Sequence, residues 1–482
     1  MGQKCRKVSV VILLFFIISQ IKSDENPDGN FSNFETSVNV CNKCNCKTYD
    51  NVYFLNCKDR DMHHTLSNWP DHQNKTLRAT FSYNNITTLE KFPTTNCSAM
   101  ITLSHCGIKY LAPGLFENMK NVTYVDLSYN LITTEEMSME KFKGPFNKNE
   151  NEPIEITHLN LAYNRIHSLK KSLFEHMPRM KHLNLEGNGF KVLDLPTQAA
   201  LTSVPHLEYL NLGNNGLREI PPELFKELRN LLEINLFKNR FTLVPDALAN
   251  LGALEVLILD SNPIYELTDG TFGGLDNLVE LSLNNLTNVV DVHANTFTNL
   301  KKLRKLFMSD NKYLEVFEKD AFGRGKDLSL RELYLNNNNL IDIPSVLLDW
   351  SSLHTFEFND NPLLCSCNLY NISRRLNKRI TRLKAGPYCI EEEEISVQVF
   401  SLDDRVCRSS YEASISFSNE LKRKFSVIRV SLITVSLVAL TATFVAIVVC
   451  FAKQRKYGFL GQNQFSRSTT IMYNPLSRQQ SM

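Results

Sequence analysis

One phrase recurs along this chain: apolar-x-apolar-x-x-Asn, as in Leu210-Asn211-Leu212 followed by Asn215. Its copies close on Asn84, Asn130, Asn164, Asn188, Asn215, Asn239, Asn262, Asn311, Asn338 and Asn361, with degenerate copies at Cys106 and Leu286. The intervals are 22 to 27 residues, apart from 34 between Asn130 and Asn164. Self-similarity at such a period predicts a solenoid, in which each coil packs only on its neighbours. That escapes the size limit that a single core would impose on 482 residues. In a short strand, alternate side chains point to opposite faces. Leu210 and Leu212 then enter the coil, and the residues between them face outward. The Asn amide has both donors and acceptors, so stacked copies can satisfy backbone groups of their own and the adjacent coil as a ladder.

A second column keeps the same phase. Phe116, Phe174, Phe225, Phe272, Phe297 and Phe322 lie ten or eleven residues after their ladder positions and predict an aromatic spine opposite the strands. With the Leu-Phe, Thr-Phe and Ala-Phe elements and cysteine clusters at both ends, residues 41–407 resemble the typical extracellular leucine-rich repeats of Toll ectodomains, Slit, chaoptin and connectin. The resemblance implies an α/β leucine-rich repeat solenoid: a curved parallel sheet on the concave face, with short helices and turns on the convex face. It implies binding in place of catalysis.

The N-terminus reads as a secretory signal over 1–23, with Lys4, Arg6 and Lys7 before the apolar run Val8 to Ser19 and a polar segment at 24–40 after it. Export favours disulfides. Cys41, Cys44, Cys46 and Cys57 fall in an N-terminal cap (41–75), and Cys365, Cys367, Cys389 and Cys407 in a C-terminal cap (362–407), flanking about twelve repeats over 76–361. Zinc is the weaker reading, since no His completes either set. Spacing leaves the pairings open; the family resemblance implies first-to-third and second-to-fourth in the C-terminal cap. Cys106 sits at a ladder position and is expected to be a buried thiol; the state of Cys97 stays open.

Residues 430–452 carry no charge and are long enough to cross a bilayer. Positive residues flank both sides, so the positive-inside rule is close to a tie. The signal and the sequons at Asn30, Asn74, Asn85, Asn96, Asn121, Asn285 and Asn371, all before the span, place the N-terminus outside at the plasma membrane. A juxtamembrane linker (408–429) precedes the span. The tail, 453–482, has no room for a catalytic domain. It contains Tyr457 and Tyr473 in Tyr-x-x-apolar sorting-like tetrapeptides and Ser466, Ser468, Thr469 and Thr470 as potential phosphorylation sites.

Outward strand positions should form the partner face. Four residues before the ladder, Asn160, Asn184, Asn211 and Asn235 give way to Ile258, Ser282, Phe307 and Tyr334, with Phe237 and Val256 nearby. A change from amides to apolar and aromatic groups suggests a hot spot; ordinary consensus filling is the bland alternative. Asp126, Glu186, Glu233, Asp260, Glu280, Glu332 and Glu357 outnumber Arg78 and Lys305, an excess of acids that favours a neutral or basic partner. Arg374, Arg375, Lys378, Arg379, Arg382 and Lys384 offer heparan sulfate a basic cluster, partly balanced by Glu391 to Glu394. The polar stretch Lys148 to Pro153 fills the long interval and predicts a surface loop. His63, His64 and His72 read as surface residues before metal ligands. Net charge of +2 gives no field for nucleic acid. No catalytic motif appears, and no cofactor or metal is expected. The sequence thus points to a single-pass type I surface protein binding a protein ligand or another cell surface in adhesion, guidance or co-reception, with homophilic pairing plausible. The alternative is a ligand-sequestering or matrix-organising membrane protein without inward signalling. Deleting the tail after Lys456 separates the two.

Overall fold

The computed structural model describes residues 40–147, 149–323, 328–381, 386–391 and 395–408. The signal, Asn30, the linker beyond Arg408, the 430–452 span and the tail with Tyr457 and Tyr473 lie outside the described residues, as do Arg382, Lys384, Lys148 and Glu392 to Glu394. Among the described residues no helix is long and apolar enough to cross a membrane. The chain divides into two units: one reaches Asn188 and includes Leu195–His206; the other includes Gly189–Asp194 and begins again at Leu207.

In the first unit, Asn45–Tyr49 pairs antiparallel with Val52–Asn56, which then pairs parallel with Thr76–Thr80. Parallel pairing continues through Ala99–Thr102, Val122–Asp126, His158–Asn160 and His182–Asn184. The antiparallel hairpin starts the sheet and is a feature of the cap that repeat spacing does not reveal. In the second unit Tyr209–Asn211, Glu233–Asn235, Val256–Ile258, Glu280–Ser282, Lys305–Phe307, Glu332–Tyr334 and Thr355–Glu357 are all parallel. The middle residue of each of these strands, from Leu210 to Phe356, is buried. The flanking pair faces outward, as period-two geometry requires.

The ladder forms as expected. Asn239 Oδ1 accepts from the backbone N–H groups of Asn215 and Leu217 at 3.2 and 3.0 Å, and its Nδ2 donates to the carbonyls of Leu212 and Leu236, both at 3.0 Å. Asn130 repeats the pattern with Cys106, Ile108, Leu103 and Leu127. Cys106 is buried and outside any disulfide. Its Sγ donates to the Phe81 carbonyl at 3.1 Å, and burial pushes the thiol up to about 11. Cys97 is also unpaired and half-buried.

The residue before each ladder position is left-handed. The second unit fills it with Asn214, Lys238, Ser261, Asn285, Asp310, Asn337 and Asp360. The first unit uses Tyr83, His105, Tyr129 and Tyr163, with φ between 53° and 62°, and Gly187 before Asn188 at 65°. A bulky residue there costs about 1–2 kcal/mol, and a stacked aromatic pair returns about 0.5–1.5 kcal/mol. The choice of rings is therefore not explained by stability alone.

The expected phenylalanines are all buried. Phe92 and Phe142 join them in the first unit, with centroids 5.6 and 6.2 Å from Phe116; Phe272, Phe297 and Phe322 stack in the second at 5.7 and 5.0 Å. The side opposite the sheet carries few helices. Among the described residues it holds the α-helix Leu195–Thr202, short 3-10 turns such as Leu224–Lys226 and Asp246–Asn250, and two-residue strand pairs such as Asp291–Val292 with Val316–Phe317. The long interval is more ordered than a plain loop. Phe146–Asn147 and Glu150–Asn151 pair as a small antiparallel hairpin that leaves Phe146 exposed.

Both caps are cross-linked. Cys41 pairs with Cys46 and Cys44 with Cys57. Cys365 pairs with Cys389 and Cys367 with Cys407, the arrangement the resemblance implies. In the C-terminal cap, Ser366 caps the helix Cys367–Arg375 by accepting from the Leu369 N–H, and Leu369 and Ile372 are buried.

Candidate partner-binding surface

Strand register places the expected partner-facing residues of the second unit in adjacent columns. Asn235, Ile258, Ser282, Phe307, Tyr334 and Glu357 are successive neighbours in one. Glu233, Val256, Glu280, Lys305, Glu332 and Thr355 are neighbours in the next. Phe307 and Tyr334 stack at 4.7 Å with 11° between their planes, and the Tyr334 hydroxyl donates to Glu332 at 3.2 Å. Phe237 lies over Gly213: a Cβ there would come within 2.8 Å of its ring, so the glycine admits the close approach. Phe237, Val256, Ile258, Phe307 and Tyr334 are all half-buried, which leaves each with surface to offer.

The asparagine run has a different job from the apolar residues that follow it. Asn160, Asn184, Asn211 and Asn235 each accept, through Oδ1, the backbone N–H two residues on, at 2.9 to 3.1 Å. These amides terminate their own strands. A change to Ile258, Ser282, Phe307 and Tyr334 therefore gives up that amide cap.

The acids of these columns differ in burial and in partners. Asp126 is buried and accepts from the Ser128 N–H at 2.9 Å. Asp260 accepts from the Asn284 N–H at 2.8 Å, and burial raises its pKa against that hydrogen bond. Glu186 accepts from the Tyr163 hydroxyl at 2.6 Å, and Glu280 lies 3.4 Å from Lys305. Sequence spacing gives the direction of these side chains but not their hydrogen-bond partners.

Glu233 is the exception. Burial, with the repulsion of Glu280 added, pushes its pKa up to about 7 from 4.5. The folded state then holds a proton that the unfolded chain has lost between those values. Its favourable contribution is fully present below pH 4.5 and is lost as pH rises through 7. The cost above that is about 2–3 kcal/mol. Glu233→Gln is expected to raise the thermal midpoint at pH 8 and to leave it nearly unchanged at pH 4.5. Equal shifts at both pH values would contradict the assignment.

The C-terminal basic cluster is partly engaged. Arg374 donates to the Leu402 carbonyl at 3.4 Å and lies 5.1 Å from the Tyr370 ring centre, while Arg375, Lys378 and Arg379 are exposed. His72 hydrogen-bonds with the Pro70 carbonyl and Thr95, both at 3.1 Å. Of the sequons, Asn74, Asn85, Asn96 and Asn285 are exposed, whereas Asn121 and Asn371 are half-buried. The Asn121 amide donates to the Asn96 carbonyl at 2.7 Å.

Residues 154–203, 205–264 and 253–313 match a family model described as Leucine rich repeat, and 329–350 match a second one of the same description. These leucine-rich repeat matches lie between two disulfide-bonded caps. It is 29% identical over 283 residues to CD180 antigen of Mus musculus, which covers 56% of this chain and 37% of that protein. Identity to Toll-like receptor 9 of Homo sapiens is 35% over 152 residues, 27% of this chain and 14% of the receptor. Identity to Tsukushi of Gallus gallus is 27% over 259 residues, covering 48% and 65%. The chain spans less than two thirds of the length of each of these relatives. None of the three bears an enzyme's name.

Proposed function

We propose that this is a type I cell-surface protein that binds a protein ligand or another cell surface, with the outward strand face of its second unit as the contact. The carrying observation is the Phe307–Tyr334 stack, separated from Ile258 by Ser282, in the column that upstream is filled by strand-terminating amides. Half-buried aromatics on a rigid sheet supply contact area at little ordering cost. Phe237 and Val256 extend the apolar patch, and Glu233 and Asp260 border it, their charge held back by burial. That balance suits a partner that brings apolar side chains and weak charge. The signal-like N-terminus and the uncharged run 430–452 support the topology, and the exposed sequons support N-glycosylation at Asn74, Asn85, Asn96 and Asn285. The toll receptor and CD180 antigen among the relatives suit a surface role.

The test is a binding screen of the full chain on cells against a panel of extracellular proteins, followed by the variant Phe307→Ala/Tyr334→Ala. A partner's affinity is expected to fall by about 30-fold or more, since one central aromatic anchor contributes about 2 kcal/mol or more and two in contact are not additive. A partner that binds the variant as well as the parent would place the contact elsewhere.

A further inference from the structure

The C-terminal cap carries an apolar sheet face that the described residues leave uncovered. Tyr388–Ile390 and Ser396–Gln398 pair antiparallel, and Ile390 bridges in parallel to Leu364. The Leu364 N–H donates to the Ile341 carbonyl at 2.9 Å. Each of these two lies three residues after its ladder Asn, so they hold the same position in successive coils. Alternation turns Cys389 inward, into its bond with Cys365, and sets Tyr388 on the outer face with Ile390. Ile341, Leu364, Ile390 and Tyr388 are 46%, 52%, 39% and 54% exposed. Exposed apolar residues scattered singly are ordinary, but four in sequence along one face mark a docking surface.

A segment of the same chain fits that face. Tyr411 to Ser418 begins just past the last described residue, Arg408, and its sequence alternates strictly. Tyr411, Ala413, Ile415 and Phe417 are apolar; Glu412, Ser414, Ser416 and Ser418 are polar. Such alternation is the pattern of a half-buried strand, and on a helix it would scatter the apolar groups around the axis. The disulfides of the cap bring the start of this segment to the patch. Cys407 has its Cα 4.4 Å from that of Cys367, which is three residues from Leu364. Three residues span at most about 11 Å, so Cys407 lies within about 15 Å of Leu364. Ile415 is eight residues further along, a reach of about 26 Å, which is enough to cross the patch. A segment tethered so closely acts at an effective concentration on the order of millimolar, ahead of a free partner or a second copy. We propose that residues 411–417 lie extended across the Ile341–Leu364–Ile390–Tyr388 face with their apolar side chains against it. Only Ser418 to Arg429 then remains as a leash between the cap and the uncharged run 430–452.

The test uses the full chain, one copy per lipid nanodisc, in a Cys97→Ser background. Cysteine is placed singly by Ile415→Cys or Ser416→Cys, and the rate of maleimide labelling is measured for each. Ile415→Cys is expected to react at least about tenfold more slowly than Ser416→Cys. Adding Leu364→Ser/Ile390→Ser, which alters only exposed groups, is expected to bring the two rates within about twofold. Equal rates without the cap substitutions would overturn the proposal. So would a difference that those substitutions leave intact, since lipid would then be the cover. A difference seen only with two copies per disc would assign the face to a second copy and overturn the proposal as well. A benzoylphenylalanine at Phe417, in the chain with its cap unchanged, makes the result independent of how the cap variant folds. Its photo-cross-links are expected on Ile341, Leu364, Tyr388 or Ile390. Adducts on lipid alone, or none on these residues, would contradict the docking. None of these outcomes bears on the Phe307–Tyr334 surface, which is tested by other variants.

Discussion

Asn239→Leu is expected to lower the stability of the second unit by about 3 kcal/mol or more, seen as a fall of about 6–12 °C in the first thermal transition of the full chain. Leucine has the same number of side-chain heavy atoms but no donor or acceptor, so the loss is mainly that of the amide. Four backbone groups lose their partner together: the N–H groups of Asn215 and Leu217 and the carbonyls of Leu212 and Leu236. Each buried group left unmatched costs about 1–3 kcal/mol, and local relaxation recovers part of the sum. The chain itself tolerates one such exchange, with Leu286 at a ladder position. Nearby, Asn311 carries the single buried side-chain nitrogen without a hydrogen-bond partner among the described residues. An unshifted transition in Asn239→Leu would mean that the amide column does not hold the coils.

Breaking the cross-link between Cys367 and Cys407 with a Cys367→Ser/Cys407→Ser double substitution is expected to cost about 4 kcal/mol. The bridge closes a segment of 40 residues, and loop entropy grows with length. The same change at Cys41 and Cys46, separated by 5 residues, should cost about 2 kcal/mol. Replacing both cysteines of each pair avoids leaving a reactive thiol. Differential scanning calorimetry of the two double variants measures the difference. Equal losses would show that strain or packing, and not loop closure, sets the contribution of these bridges.

The ladder could be read in advance because backbone geometry fixes the phase between an inward pair and the turn that follows. Asn215 and Asn239 appear at the same offset from their strands however the rest of the coil varies. Phe92 and Phe142 escaped the aromatic count because their distances to Asn84 and Asn130 differ from ten or eleven residues, although they fill the same column in space. The Tyr83–Tyr163 stack was hidden for the opposite reason. A left-handed position is expected to hold Gly, Asn or Asp, so tyrosine there gives no signal in the sequence. Charge was the least legible property. Asp126 and Asp260 point where their spacing says, but backbone N–H groups and burial absorb them. The N-terminal pairings depended on the hairpin Asn45–Asn56, which repeat counting cannot supply.

Coil-by-coil stacking is tested most directly by peptide-resolved hydrogen exchange on Asn239→Leu. In a solenoid each coil rests on its neighbours, so disturbance should stay local. Peptides covering Leu210 to Leu217 and Leu236 to Asn239 are then expected to exchange much faster than in the parent chain, while those covering Phe356 to Asn361 keep their protection. A uniform loss of protection from Leu207 to Asn361 would show one cooperative core and contradict the account.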